Sequence, residues 1–209
     1  MRKLALLASV CAVFLFFANL ASAQQGDLAV GFGTVTSPGA SACGFSGTTG
    51  QELCPEKGGL YPTIGGDVIF HRRFGVGVDF TWRGGQGLYG GPQGQPYRTI
   101  ITDVNGMFQP RISKRAGLDL VAGIGWQSTR YYGYVPTTGC VYLGACYLSS
   151  THFLVDFGAG LRYYVHGHFF VRPEVRYYSI INNTADFTSD SVVRIGGSIG
   201  YTIGGPDNN

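Results

Sequence analysis

The sequence predicts an all-β protein, an eight-stranded antiparallel up-and-down transmembrane β-barrel. Three observations carry this prediction. After residue 23 the chain contains eight runs of about ten residues in which apolar side chains alternate with polar or small ones, the period of a β-strand. The connections between these runs are alternately long and short. The polar faces carry both acidic residues and arginines, an arrangement that suits the interior of a narrow barrel surrounded by lipid.

The chain begins with the layout of a secretory signal peptide. Arg2 and Lys3 form a charged start, residues 4–20 form an apolar core, and Ala21-Ser22-Ala23 is a small-residue cleavage site. The predicted parts of the chain are the cleaved signal peptide, the outer-membrane β-barrel domain and a short disordered tail, at residues 1–23, 24–203 and 204–209.

Length and charge exclude several classes of protein. Removal of residues 1–23 from the 209 leaves 186 residues, of which 13 are basic and 12 acidic. This balance does not favour a nucleic-acid partner. No run after residue 23 approaches the ~18 apolar residues of a transmembrane helix. A mature chain in a membrane must therefore be a barrel, and we expect it in the bacterial outer membrane.

Each predicted strand has one apolar face and one face of small or polar residues. The eight strands lie at 27–35, 60–70, 74–82, 97–109, 118–127, 153–163, 169–178 and 193–203. Long loops at 37–59, 84–96, 128–150 and 180–190 alternate with short turns at 71–73, 110–116 and 166–168. An antiparallel barrel with these connections has its long loops outside the cell, and its short turns and both termini in the periplasm.

Charged residues recur on the face opposite the apolar one. They are Asp67, Asp79, Asp103, Asp119, Asp156, Arg162, Arg172, Glu174, Arg176 and Arg194. Because charges cannot lie unpaired in an apolar interior, we predict a hydrogen-bonded ion network in a plugged lumen, with glycines on the same face leaving room for it. A soluble lipocalin-like barrel would show the reverse arrangement of faces.

Aromatic residues lie at or near the ends of the predicted strands. We assign Trp82, Tyr97, Trp126, Phe153, Phe169, Tyr177 and Tyr201 to aromatic girdles at the lipid headgroups. The alternative is that Tyr and Phe are simply good strand formers.

Four cysteines follow the signal peptide, and an even number in an exported chain favours disulfides. Their spacing suggests the local pairs Cys43–Cys54 and Cys140–Cys146, each of which would pin one loop. Zinc binding is the alternative, but there is no CxxC motif and neither pair has a nearby histidine. The repeated Gly-x-Gly pairs lie inside strands with no helix after them, so they do not indicate phosphate loops. We expect no cofactor and no metal.

Two groups of residues in the loops and turns have side chains that could support chemistry. Ser149, Ser150 and His152 lie where a strand leaves the membrane, so a Ser/His lipid hydrolase is conceivable, although a third, orienting group is also needed. His166 and His168 flank a turn glycine. The two interpretations of this pair are a weak metal site and a solvated turn. The charged lumen leaves no room for a wide water channel. Slow leakage of small ions is an alternative that the sequence leaves open.

The layout of the whole mature chain resembles the small bacterial outer-membrane β-barrel proteins, the OmpA-like transmembrane domain group. The segments that carry the resemblance are 75–80, 120–126, 155–163 and the closing 193–201. Tyr201 and Ile203 resemble the terminal assembly signal of that group, although such signals usually end the chain and here residues 204–209 follow.

The resemblance implies insertion by the outer-membrane barrel-assembly machinery and says little about activity, which in this group ranges from adhesion and host interaction to structural roles. We therefore expect a monomeric barrel that acts through its loops in surface interaction, adhesion or envelope integrity. The expected partners are outer-membrane lipids, the assembly machinery and an extracellular or host ligand, with no nucleic acid. A lipid-modifying enzyme and a small-solute or ion channel are the alternatives; we expect no enzyme.

Overall fold

The computed structural model describes residues 25–39, 42–45, 52–71, 73–89, 95–132 and 147–204. Almost all of these residues lie in strands or in the connections between them. A single-turn 3-10 helix occupies Asn183–Ala185. Within the described ranges, no helix is long and apolar enough to cross a membrane. The predictions for the signal peptide, for the Cys140–Cys146 pair and for the tail beyond Gly204 lie outside the described residues.

The alternating pattern forms strands at every place where the sequence predicts one. The described strands are β1 (Gln25–Thr36), β2 (Gly44–Phe45), β3 (Glu52–Leu53), β4 (Tyr61–His71), β5 (Phe74–Trp82), β6 (Gly87–Tyr89), β7 (Gln95–Phe108), β8 (Ala116–Tyr132), β9 (Tyr147–His166), β10 (Phe169–Ile180) and β11 (Ser191–Gly204). Eight of them close into one antiparallel barrel in the order β1-β4-β5-β7-β8-β9-β10-β11, with β11 paired back to β1. The predicted eight-stranded antiparallel up-and-down barrel is confirmed.

The connections separate the two ends of the barrel. Short connections join β4 to β5, β7 to β8 and β9 to β10, and we call this the short-turn end. The four longer connections lie at the other end, the long-loop end. There β2 and β3 form a small hairpin within the first long loop, and β6 pairs with the start of β7.

The predicted loop at 128–150 is wrong in its extent. The ladder between β8 and β9 continues through Ser128↔Thr151 to Tyr132↔Tyr147, so residues 128–132 and 147–150 belong to the two strands. The apolar alternation that marked the strand ends stops near residue 127, because the outward positions beyond it are polar. Backbone hydrogen bonding between two strands does not need an apolar face, so the ladder continues past that point.

The alternation also decides which side chains line the interior. In β10, Arg172, Glu174 and Arg176 point inward and are buried, while Val171 and Val175 point outward and are exposed. The same division runs around the barrel and produces an outer surface of exposed apolar side chains, which we call the apolar band. Its members include Leu28, Phe32, Ile64, Val78, Val104, Ile124, Phe157, Val175 and Ile199. Charged residues inside and apolar residues outside are the reverse of a soluble barrel.

The interior is filled in layers along the barrel axis. The half near the short-turn end contains two apolar clusters that are mixed with charged side chains such as Asp27 and Asp119; one cluster consists of Ala29, Tyr164 and Phe170 and the other of Ile69, Met107 and Val121. Charged side chains occupy the middle. Near the long-loop end lies a second apolar layer, the mouth layer, made of Val35, Tyr61, Ile101, Leu154, Tyr178, Ile180 and Val192.

Candidate functional site: the filled lumen and its mouth

The charged layer begins with one arginine that holds three carboxylates. Asp27 and Asp67 are direct cross-strand partners on β1 and β4, where two like charges would repel each other. Arg162 pairs with Asp27 and contacts Asp67 at 3.7 Å and Asp119 at 3.0 Å. Its side chain is 1% exposed, and its guanidinium carbon lies 4.3 Å from the centre of the Phe170 ring. Arg162 therefore offsets the repulsion between the first strands of the barrel.

Two further arginines connect this group to β10 and β11. Arg172 contacts Asp67, Asp119 and Glu174 at 3.6, 3.4 and 3.2 Å. Glu174 in turn pairs with Arg194 at 2.6 Å, and Arg194 donates a hydrogen bond to the Thr63 hydroxyl, also at 2.6 Å. The network thus crosses the lumen and links strands that are not neighbours in the sheet.

A second group lies nearer the long-loop end. Asp79 and Asp103 are direct cross-strand partners on β5 and β7. Arg176 pairs with Asp79 and reaches Asp103 at 3.1 Å and Asp156 at 3.4 Å. Asn105 donates a hydrogen bond to each of the two partner carboxylates. The Arg176 guanidinium therefore faces three buried carboxylates. Little empty space remains in the lumen beside it.

The structure places all ten sequence-predicted lumen residues on the inner face, buried and in ion pairs. Sequence reasoning missed Asp27, which belongs to the same network. Its position could have been found, because Asp27 shares its parity along β1 with Ala29, and Ala29 faces inward. A cavity bounded by Asp119, Glu174 and Arg176 measures about 10 Å³, the size of one water molecule.

The first long loop folds into the barrel mouth. Glu56 is fully buried, and Tyr61 Oη donates a 2.9 Å hydrogen bond to its Oε1. Arg83 donates to the Gly58 carbonyl at 2.9 Å, to Tyr61 Oη at 3.4 Å and to Tyr97 Oη at 3.3 Å. Burial raises the pKa of Glu56 above its ordinary value of 4.5, and the hydrogen bond from Tyr61 only partly offsets that effect.

The predicted disulfide Cys43–Cys54 is confirmed, with a Cα–Cα distance of 4.1 Å. It closes the segment that carries the β2–β3 hairpin and ends next to Glu56. The backbone carbonyl of Cys54 also accepts a hydrogen bond from the Thr188 N–H, at 3.2 Å. The disulfide thus braces the first long loop at the point where the fourth long loop meets it.

The fourth long loop, residues 181–190, closes the mouth from the opposite side. Phe187 is fully buried, and its ring meets the Tyr97 ring edge-on at 5.6 Å between centres. The Asn183 side chain accepts a 3.1 Å hydrogen bond from Gln127 Nε2 and donates one to the Ser189 carbonyl. The loop therefore lies across the barrel end as a packed lid.

The hydrolase candidate acquires a third group but not the geometry of a catalytic triad. His152 Nε2 lies 2.9 Å from Ser150 Oγ and also 2.9 Å from Asp186 Oδ2. A Ser-His-Asp relay needs the acid on Nδ1 and the serine on Nε2. Ser150 and His152 also share the inward parity of Leu154, away from the apolar band, while Ser149 points outward. This arrangement ties the lid to β9 and does not present a nucleophile to lipid.

Six of the seven predicted girdle aromatics lie on the outer surface. Trp126, Phe153, Phe169, Tyr177 and Tyr201 are exposed, and Trp82 is partly buried there. The assignment of Tyr97 to the girdle is wrong. Tyr97 is 4% exposed and points into the mouth, because it shares the inward parity of Ile101 and Asp103 along β7.

The two histidines of the β9–β10 turn lie at the short-turn end. His166 is exposed, and the His168 ring packs 5.7 Å from the Tyr201 ring. Among the described residues, no group of three or more His, Cys, Asp or Glu is arranged to hold a metal ion.

Comparison with known proteins agrees with this architecture. The model of the family described as outer membrane protein beta-barrel domain matches residues 7–202. No curated protein matches the chain. Neisserial surface protein A has a TM-score of 0.57 and 12% identity, covering 85% of this chain and 95% of that one. Ail of Yersinia pestis, the attachment invasion locus protein, has a TM-score of 0.54 and 13% identity. The match covers 87% of this chain and 99% of that one.

The N-terminal β-barrel domain of OprF from Pseudomonas aeruginosa is also similar. Its TM-score is 0.51 with 9% identity, covering 87% of this chain and 98% of that one. Ail has in addition been solved in complex with the heparin analogue sucrose octasulfate. At these identities the likeness shows the fold alone.

Proposed function

The chain belongs to the outer membrane protein beta-barrel domain family, and from this premise we propose that it is an integral bacterial outer-membrane protein whose loops mediate surface interaction. The short-turn end then lies in the periplasm and the long-loop end outside the cell. The apolar band faces lipid. The protein acts as a binding or envelope-structural element, with neither catalysis nor wide-pore conduction as its role.

The filled lumen is the observation that carries this proposal. A solute entering from the long-loop end meets the lid of residues 181–190, then the mouth layer, then the charged layer. The cavity beside Arg176 has a volume of only about 10 Å³. An eight-stranded barrel is wide enough to be filled by its own side chains, and here it is. Transport through the barrel is therefore disfavoured, which leaves the surface at the long-loop end as the part able to act.

The build of the loops supports a binding role. The Cys43–Cys54 disulfide, the Thr188–Cys54 hydrogen bond and the buried Phe187 hold two loops together, and the paired ends of β8 and β9 lie at the same end of the barrel. A surface that is already ordered loses less conformational entropy on binding a partner than a flexible one does. The complex of the similarly folded Ail with a heparin analogue makes heparin a suitable first probe.

Conductance measurements test the plugged lumen. The protein reconstituted in planar lipid bilayers is expected to show no large, stable conductance. Phe187→Ala, which removes the lid contact with Tyr97, is expected to stay closed as well, because the mouth layer lies beneath it. A large, stable conductance of the unaltered protein would contradict the plugged-lumen proposal.

Adherence measurements test the surface role. Non-adherent cells displaying the protein are compared with cells displaying a variant whose residues 133–146 are replaced by an Asn-Gly turn, which preserves the β8–β9 ladder. Binding to cultured epithelial cells and to immobilised heparin is expected from the first strain and is expected to fall in the second. Heat-modifiable migration on cold SDS gels checks that both barrels are folded. Equal binding by display cells and by cells without the protein would refute the surface role.

A further inference from the structure

The outer wall across β7, β8 and β9 changes character in a regular order toward the long-loop end. Each rung consists of outward-facing residues that are direct cross-strand partners. The successive rungs are Val104, Ile124 and Val155; Thr102, Trp126 and Phe153; Ile100, Ser128 and Thr151; and Arg98, Arg130 and Ser149. The wall therefore passes from apolar through aromatic and hydroxyl-bearing side chains to a pair of arginines, which we call the arginine rung.

The two arginines of this rung have no anion to justify their position. Arg98 and Arg130 lie directly opposite each other on neighbouring strands, where two like charges destabilise a sheet. Neither forms an ion pair with any carboxylate among the described residues. The flanking segments 83–97 and 131–149 contain no Asp or Glu at all. Within the part of the chain that the structure describes, the rung thus carries two positive charges and no compensating negative one.

Neighbouring groups hold the guanidiniums in place without neutralising them. Arg98 Nη2 donates a 3.3 Å hydrogen bond to the Gly84 carbonyl. The guanidinium carbon of Arg130 lies 4.7 Å from the centre of the Tyr147 ring, a cation–π contact. On the rung below, Thr151 donates to the Ser128 hydroxyl at 3.3 Å. The wall therefore offers two positioned guanidinium groups with hydroxyl groups beside them.

We propose that the arginine rung binds a phosphate group of an outer-leaflet lipid, an inference that rests on the proposed outer-membrane location. Arg forms bidentate, charge-assisted hydrogen bonds with phosphate, and two opposed guanidiniums suit a group with several anionic oxygens. The occupant is a lipid, because the rung faces sideways from the barrel wall and lies two rungs beyond Trp126 and Phe153, with the hydroxyl groups of Ser128 and Thr151 between them. The phosphate of a lipid would lie between the arginines while its acyl chains pack on the apolar band.

Binding of two matched glycolipids tests this assignment. The full mature chain is reconstituted in nanodiscs of zwitterionic phospholipid and titrated with diphosphorylated lipid A or with the same lipid lacking both phosphates. The unaltered protein is expected to bind the phosphorylated form about tenfold more tightly or better, the effect of one or more charge-assisted hydrogen bonds. The Arg98→Gln/Arg130→Gln variant is expected to lose this preference.

The matched control is Arg111→Gln/Arg115→Gln, which removes the same charge from exposed residues at the short-turn end and is expected to keep the preference. Heat-modifiable migration of all variants, assayed in outer-membrane fractions of the cells that produce them, separates failure of the barrel or of its location from failure of the lipid site. Equal affinity of the unaltered protein for both lipids would overturn the proposal, as would an unchanged preference in the Arg98/Arg130 variant. If soluble heparin displaced the phosphorylated lipid at a concentration below that of the lipid, the assignment of a lipid as occupant would be overturned.

Discussion

At the scale of single residues, the barrel interior is organised by arginines that each face several carboxylates. Asp27 and Asp67, and likewise Asp79 and Asp103, are direct cross-strand partners that would repel each other without a cation between them. Because the charges are buried, removing one partner costs more than the pair contributes. The sequence pattern predicted that these residues share a face; which arginine meets which acid depends on strand register, which the pattern does not contain.

The Arg176→Ala substitution is expected to destabilise the barrel by about 3 kcal/mol or more, because it leaves three buried carboxylates without their cation. The free energy of unfolding in urea, measured in lipid vesicles, reports the change. Arg115→Ala removes an exposed arginine and serves as control, with an expected change within about 0.5 kcal/mol. Similar losses in the two variants would contradict the ion network as a source of stability.

Glu56 makes the closed mouth sensitive to pH. Burial holds its pKa in the folded protein above the ordinary value of 4.5, so its contribution to stability is present below that pH and is lost as pH rises through the raised pKa. The protection factors of the amides at 54–61, which are corrected for the intrinsic pH dependence of exchange, are expected to fall as pH rises above about 4.5. The Glu56→Gln variant is expected to lack this dependence, and since other titrating groups are common to both proteins, equal pH profiles would exclude Glu56 as the cause.

At the scale of elements, the period of two was sufficient to find every barrel strand, and it failed only where the chain leaves the apolar band. The β8–β9 ladder continues to Tyr132↔Tyr147 through outward residues such as Arg130 and Ser149, which carry no apolar signal. The lid was equally hidden, because Phe187 and Asn183 lie in a segment without periodicity. Their burial results from contacts with Tyr97 and Gln127 on distant strands.

Replacement of Cys43 and Cys54 by alanine is expected to loosen the first long loop and leave the barrel folded. Opening of the loop should become easier by up to about 3 kcal/mol, because the closed segment regains chain entropy. Limited proteolysis and hydrogen exchange of residues 52–60 report this change, while heat-modifiable migration reports the barrel. Loss of the barrel itself would show that the disulfide is required for the fold and not only for the loop.

At the scale of the whole molecule, closure depends on pairing the first strand with the last. β11 pairs with β1 from Gln25↔Gly204 to Thr36↔Val193, which leaves no open sheet edge. Tyr201 lies on the outer surface of β11, with its ring 4.9 Å from that of Phe169. The alternating pattern predicts which face of each strand points outward and that the last strand pairs with the first. It does not predict the function of the loops, because loop sequences have no comparable regularity.

The Tyr201→Ala substitution is expected to lower the amount of assembled barrel in cells more than deletion of residues 204–209 does. Tyr201 contributes an exposed aromatic contact at the short-turn end, in the position that resembles a terminal assembly signal. The fraction of heat-modifiable protein in outer-membrane preparations measures assembly. Ile199→Ala, another outward residue of β11, is the control. A larger assembly defect from the deletion would show that the assembly signal lies in the deleted residues and not at Tyr201.

The long sequence separations within the ion network have a kinetic consequence. Arg162 contacts Asp27 across 135 residues, and Arg194 contacts Thr63 across 131. Neither contact can form before the strand that carries its arginine, β9 or β11, has joined the sheet, so we expect these acids and arginines to stay hydrated until late in folding. We expect their joint dehydration to be a slow, late step of folding, because contacts between residues far apart in sequence form slowly.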